Sequence, residues 1–150
     1  MKIRFAVAPP PGPFDAASML AFATTAEALG FDTIWLSDVP LAPIGDPIVS
    51  LADIATVTTT LKLGANIVPI GRNPMILATQ LAQLDRLSGG RLLLSFVPGI
   101  AAPGERAALG FPSGNRWTAI ETDIDLMRRW WAGEAVDFDD GRVRFDQLEV

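Results

Sequence analysis

The segment from Asn73 to Gly99, NPMILATQLAQLDRLSGGRLLLSFVPG, leaves the chain few folds to choose from. Asn73 suits a helix N-cap, and Pro74 suits the first helical position, where its missing N–H costs nothing. Leu77, Leu81, Leu84 and Ser88 recur at helical spacing with Ala78 and Ala82 beside them, which is one buried stripe of an amphipathic helix. Gly89 and Gly90 let that helix stop. Leu92–Val97 (LLLSFV) is too short for a helix and apolar on both faces, as in a strand buried in a parallel sheet. Pro98-Gly99 ends it. Helix, glycine turn, buried strand and loop make an αβ unit of a kind found in many α/β proteins.

The rest of the chain repeats the unit. Ile3–Ala8 reads as a strand and the run from Pro9 to Pro13 as a rigid loop. Asp15 caps a helix from Ala16 to Leu29, with Met19, Phe22, Ala23, Ala26 and Leu29 towards the core. Thr33–Ser37 is a second strand. Asp46-Pro47 starts a second helix, with Ile48, Leu51, Ala55 and Thr58 inward. Leu61–Val68 is a third strand. Strand and helix alternate four times with short connections, so the sheet is parallel with right-handed crossovers. A doubly wound sheet and part of a (β/α)8 barrel both satisfy this. The sequence has neither G-x-G-x-x-G after the first strand nor G-x-x-x-x-G-K-[ST], which counts against dinucleotide and P-loop sites. Ile100–Gly114 is a longer loop with a helical turn at Glu105–Leu109. Asn115 caps a helix from Arg116 to Ala132, with Ile120, Ile124, Met127 and Trp131 on one face. Val136–Asp146 is a hairpin about a two-residue Asp140-Gly141 turn.

Composition narrows the chemistry. The chain has 150 residues, 49% hydrophobic, enough for one domain with a sizeable core. A net charge of −5 with no basic run beyond Arg128-Arg129 argues against nucleic acid and anionic membrane as partners. The chain contains no Cys, His or Tyr. Disulfides, thiol chemistry, imidazole bases and His-bearing metal sites are therefore excluded, and the acid–base groups near neutral pH reduce to Asp, Glu and Lys. The lack of cysteine fits a cytoplasmic protein. The proline-broken start lacks a signal-peptide core, and no apolar run approaches the ~20 residues of a membrane helix.

The pattern NP…A…LD.LSGGR, followed by a strand and a glycine-containing turn, resembles the signature of the bacterial luciferase-like flavin- and deazaflavin-dependent oxidoreductases. AEALGFDTIW (Ala26–Trp35), LKLGANIVP (Leu61–Pro69) and E…ALGFP…R….E (Glu105–Pro112, Arg116, Glu121) extend the resemblance along nearly the whole chain. The resemblance implies a single domain, residues 1–150, forming the N-terminal half of a (β/α)8 TIM barrel: four parallel βα units plus a C-terminal β-hairpin insertion. It implies a luciferase-like oxidoreductase or monooxygenase using coenzyme F420 or FMN for hydride transfer or oxygen activation on a small-molecule substrate. The spacing is closer to the F420-using members. The alternative is a non-catalytic half-barrel that binds or assembles without turnover. Four strands cannot close a barrel, so a missing C-terminal half-barrel or a homodimer partner is expected to complete the fold and cover two raw edges.

Barrel sites lie at the C-terminal ends of strands. After the second strand, Asp38 is the only ionisable residue and the candidate for catalysis and for contact with the cofactor. The family often has His at the next position, where this chain has Val39. At the end of the third strand the family often carries a bulge with a non-proline cis peptide. Ala65, Asn66 and Ile67 are the cofactor-binding candidates there, an aliphatic side chain bowing the ring. After the fourth strand, Pro98 and Gly99 stand where the family has a glycine-rich turn. Asp85, Arg91, Glu27 and Glu121 match family positions and read as structural, Asp85 pairing with Arg91 across the glycine turn. Trp117, Trp130 and Trp131 read as core or interface.

Overall fold

A computed structural model gives the structure of the chain, describing residues 3–10, 12, 15–100, 103–110 and 115–150. The elements in order are β1 (Ala6–Val7), α1 (Ala16–Ala28), β2 (Thr33–Ser37), α2 (Pro47–Val57), β3 (Lys62–Ile67), α3 (Pro74–Leu87), β4 (Leu92–Phe96), α4 (Pro103–Ala108), α5 (Arg116–Trp131), β5 (Val136–Asp139) and β6 (Arg144–Leu148). Part of the proline-rich loop, at Pro11 and Pro13, and most of the loop after Gly110 lie outside the described residues.

The four long helices start on the side chains expected to cap them. Asp15 accepts from the Ser18 N–H at 2.8 Å, Asp46 from Ile48 and Val49, Asn73 from Met75 and Ile76, and Asn115 from Trp117. Each cap satisfies N–H groups that the first helical turn leaves orphaned. The turn from α3 into β4 uses Gly89 and Gly90 at φ +66° and +76°, values a side chain resists.

The strands form one sheet in the order β1-β2-β3-β4, each neighbour parallel, and the hairpin β5-β6 is a separate antiparallel pair. This is half of a (β/α)8 barrel. Ile34, Leu36, Leu63, Ala65 and Ile67 are buried on one face of the sheet, in a cluster with Leu51 and Ile54 of α2, Leu77, Leu81 and Leu84 of α3, and Met127 of α5. The other face carries the alternate residues. In register, Trp35 stands opposite Gly64 and Gly64 opposite Leu93, which is 41% exposed. A Cβ at Gly64 would sit 1.9 Å from Trp35 Cε3, so the indole occupies the space a side chain there would need.

Two charged side chains hold the lower end, where helices lead into strands. Glu27 Oε1 accepts from the N–H groups of Thr59, Thr60 and Leu61 at 2.6–2.9 Å and from the Thr60 hydroxyl. Burial works against its charge, but the Thr60, Leu61 and Thr59 N–H groups outweigh it and bring the carboxyl from 4.5 down to about 2. Arg91 is 8% exposed and donates to the Ser88 carbonyl (2.6 Å), Thr58 hydroxyl (2.9 Å), Leu61 carbonyl (3.0 Å) and Ala55 carbonyl (3.1 Å). The expected Asp85–Arg91 pair does not form. The guanidinium turns instead to carbonyls left free at the ends of α2 and α3, where the helix dipoles also favour a cation.

Other expectations shift in detail. Only Ala6 and Val7 pair with β2, so the first strand is shorter than Ile3–Ala8; Ile3 and Phe5 are exposed. Ahead of that ladder, the Phe5 N–H donates to Asp32 Oδ2. Leu29 is 72% exposed because it sits at the C-cap of α1, past the buried stripe. On α5 the core tryptophan is Trp130, not Trp131. The hairpin decides this: Phe145 packs edge-on against Trp130 at 5.1 Å, and the Trp130 indole N–H donates to the Leu148 carbonyl. Trp131 is half-exposed and donates to the Ala78 carbonyl. The hairpin turn is wider than two residues. Residues 140–143 lie between the strands, and Asp140 Oδ1 accepts from the Arg142 and Val143 N–H groups. The buried Asp123 of α5 meets Arg142 of that turn at 3.4 Å; desolvation pushes its carboxyl up to about 6 against the pull of Arg142. The hairpin thus packs on α5 through Trp130.

Candidate functional site

The upper ends of the strands place one polar residue from each of three neighbours at the same level. Ser37 stands opposite Asn66, and Asn66 opposite Ser95. The Asn66 Nδ2 donates to Ser37 Oγ at 3.2 Å. Alternation along β3 puts Asn66 on the face opposite its neighbours. Ala65 (1% exposed) and Ile67 (0% exposed) are both buried in the core cluster. Their side chains therefore do not reach the open face, and Ile67 cannot press on a ring there. The described backbone contains no cis peptide, and Asn66 and Ile67 stay in register with Ser95 and Phe96, so the expected bulge is replaced by an ordinary strand end.

Ser37, Asp38, Val39, Asn66, Val97 and Gly99, with Ile100 and Glu105, line a cleft of about 270 Å³. Asp38 belongs to the loop that joins β2 to α2. Its N–H donates to the Asn66 carbonyl at 2.8 Å, and its Oδ2 accepts from the Val68 N–H at 3.1 Å. Oδ2 also accepts from Arg72 Nη2 at 2.9 Å, and the same nitrogen donates to Asp46 Oδ2 at 3.1 Å. Burial opposes the Arg72 charge, but Asp38 and Asp46 together raise the guanidinium above its usual value. Gly99 lines the cleft, and a Cβ there would lie 2.9 Å from Glu105 Oε1. Pro98 is half-buried, and its carbonyl accepts from Arg116 Nη1 at 3.1 Å.

Of the residues picked out from sequence, Asp38, Asn66 and Gly99 therefore meet at one cleft, Pro98 borders it through its backbone, and Ala65 and Ile67 support it from behind. Sequence reasoning missed Arg72 and Glu105 as parts of the site. Arg72 is one residue ahead of a helix cap, a place that carries no periodicity. Glu105 is 2% exposed on a six-residue helix, too short for a periodic pattern to mark which side chain is buried. No cluster of Asp and Glu among the described residues could hold a metal ion. The lining offers hydroxyl, amide and carboxylate groups beside the apolar Val39 and Val97. That set suits the polar edge of a flat heteroaromatic ring. Among the cleft's lining residues there is no cation to hold a phosphate.

Comparison with known proteins identifies the family and the fold. The family model for luciferase-like monooxygenases matches residues 1–148. A 5,10-methylenetetrahydromethanopterin reductase of Methanolobus tindarius is 32% identical over 125 residues, 83% of this chain and 37% of the relative. The coenzyme F420-dependent tetrahydromethanopterin reductase of Methanopyrus kandleri superposes with TM-score 0.80 at 22% identity, over 100% of this chain and 46% of that one. The oxygenating constituent of 3,6-diketocamphane monooxygenase from Pseudomonas putida, in complex with FMN, superposes with TM-score 0.87 at 18% identity, over 99% and 45%. The chain spans less than half the length of these relatives. It belongs to the luciferase-like monooxygenase family.

Proposed function

We propose that the chain supplies the N-terminal half of an oxidoreductase barrel whose upper end holds the ring of coenzyme F420 or FMN, and that a second half, from further sequence or another chain, supplies the phosphate-binding loops. The observation that carries this reading is the cleft formed by Ser37, Asn66 and Asp38 at the ends of parallel strands. It has polar groups enough to orient a ring, in a chain without His, Cys or Tyr to do chemistry of its own. When bound, the ring supplies the two-electron chemistry, hydride transfer or oxygen activation. Asn66 and Ser37 act as hydrogen-bonding partners that fix the ring edge, Val39 and Val97 exclude water, and Asp38 accepts a hydrogen bond from ring or substrate. The similar structures include both a coenzyme F420-dependent reductase and an FMN complex, so both rings are candidates.

Fluorescence titration of the assembled protein with F420 and with FMN tests this. Saturable binding of either ring at micromolar concentration or tighter, lost in Asn66→Leu, is expected. Binding of neither would favour the alternative, a half-barrel that assembles without turnover. The 150-residue chain alone is expected to bind both rings more weakly than micromolar, because in the proposed assembly the second half holds the phosphate.

A further inference from the structure

The loop from Asp38 to Asp46 is closed at its base by a single nitrogen. Arg72 Nη2 donates to Asp38 at one end of the loop and to Asp46 at the other, 2.9 and 3.1 Å away. The two carboxylates are not used alike. Asp46 commits Oδ1 to capping α2 and Oδ2 to Arg72. Asp38 commits Oδ2 twice, to Arg72 and to the Val68 N–H. Its Oδ1 takes no donor from the described residues, yet it is not among the buried atoms left without a partner. The side chain as a whole is only 3% exposed, and Asp38 lines the cleft. One oxygen is fixed by Arg72 and Val68, and the other is left without a donor from the described residues in a side chain that lines the cleft.

We infer that Arg72 is a positioning residue: by pinning Asp38 Oδ2 it holds Oδ1 towards the cleft as an acceptor for an N–H or O–H on the edge of the bound ring. This rests on the proposed ring-binding function. A carboxylate free to rotate about its side-chain torsions would lose orientational entropy when a ligand arrives; one already clamped by Arg72 and Val68 has lost it on folding. Arg72 is well suited to the task, because a planar guanidinium nitrogen carries two hydrogens in fixed directions and can serve two acceptors at once. The same nitrogen also ties the two ends of the loop together. Leu41, within this loop, lies against Gly104 of α4, with Leu41 Cδ1 3.7 Å from where a Gly104 Cβ would be. Arg72 therefore acts on the cleft from outside it, through Asp38.

The test is a double-mutant cycle on the assembled protein, read by fluorescence titration with F420 and FMN. Arg72→Met and Asp38→Asn are each expected to weaken ring binding about tenfold, with Arg72→Lys restoring part of the loss. If Arg72 acts through Asp38, adding Arg72→Met to Asp38→Asn costs less than about a further twofold. Undiminished affinity in Arg72→Met, or a full tenfold loss added on top of Asp38→Asn, would overturn the inference. If Arg72→Met does not fold, the cycle is run with Arg72→Gln, and the same two outcomes decide it. A wild-type protein that binds neither ring overturns the functional reading, and this role of Arg72 with it. A protein that binds a ring but ignores Arg72 overturns only the role.

Discussion

The two ends of the sheet handle polar groups in opposite ways. At the lower end, Arg91 makes side-chain bonds to four acceptors, and one Glu27 oxygen collects three backbone N–H groups and a hydroxyl. All of these bonds tie one segment of the chain to another, the helix ends to the loop that enters β3. At the upper end, Asp38 uses one oxygen and keeps the other, and Asn66 makes a single side-chain bond to Ser37. A polar group whose bonds all join segments of the chain holds a fold together. A buried one with capacity left over, facing a cleft, is equipped to bind something else.

The sharpest way to break this comparison is at Arg91. Replacing it with Met leaves carbonyls of Ala55, Leu61 and Ser88 facing an apolar side chain. Each buried polar group left unpaired costs about 1–3 kcal/mol, so a total loss of about 3 kcal/mol or more is expected in urea unfolding. A loss below about 1 kcal/mol would mean that water replaces the guanidinium easily and that the lower end is not so tightly closed.

Glu27 comes next, and pH sharpens its role. The folded carboxyl lies at about 2, below its unfolded value of 4.5. Its contribution is therefore fully present above pH 4.5 and is lost as the pH falls from there through about 2. Because the group is partly solvated, Glu27→Ala is expected to cost only about 1 kcal/mol at pH 7. The difference between wild type and variant should close as the pH approaches 2; a gap that persists in acid would assign the effect to lost packing.

The smallest effect on stability is expected at the upper end. Ser37→Ala should change unfolding free energy by less than about 0.5 kcal/mol, since it removes one half-exposed hydrogen bond. The same change should weaken ring binding by about threefold or more in the assembled protein. A stability loss comparable to that of Arg91→Met would erase the distinction between the two ends.

Much of the fold was legible because its signals are local. Asp15, Asp46, Asn73 and Asn115 announce helix starts by chemistry that acts within three residues, and Thr33–Ser37 is bounded as read. Where the reading failed, the deciding partner was distant in sequence. Met127 can continue a helical stripe at 130 or 131 equally well, and Phe145 chooses between them. Arg91 had a carboxylate six residues away but met carbonyls 30 and 36 residues away. The site was legible in part for the same reason. Asp38 and Asn66 could be placed at strand ends by counting, whereas Arg72 enters 34 residues from Asp38, and the core side of Ala65 and Ile67 follows from β3 keeping its alternation to the end. The omitted cis peptide came with the resemblance and had no residue to announce it.

The packing of Trp35 over Gly64 has an evolutionary consequence. The indole fills the volume that any other residue at 64 would claim, so Gly64 cannot gain a side chain while Trp35 stays. A lineage that gains a side chain at Gly64 must first or simultaneously trim Trp35, and one that trims Trp35 leaves room that a substitution at 64 can then fill. The two positions are coupled in that one direction, and the order in which they change sets which interiors this half-barrel can reach.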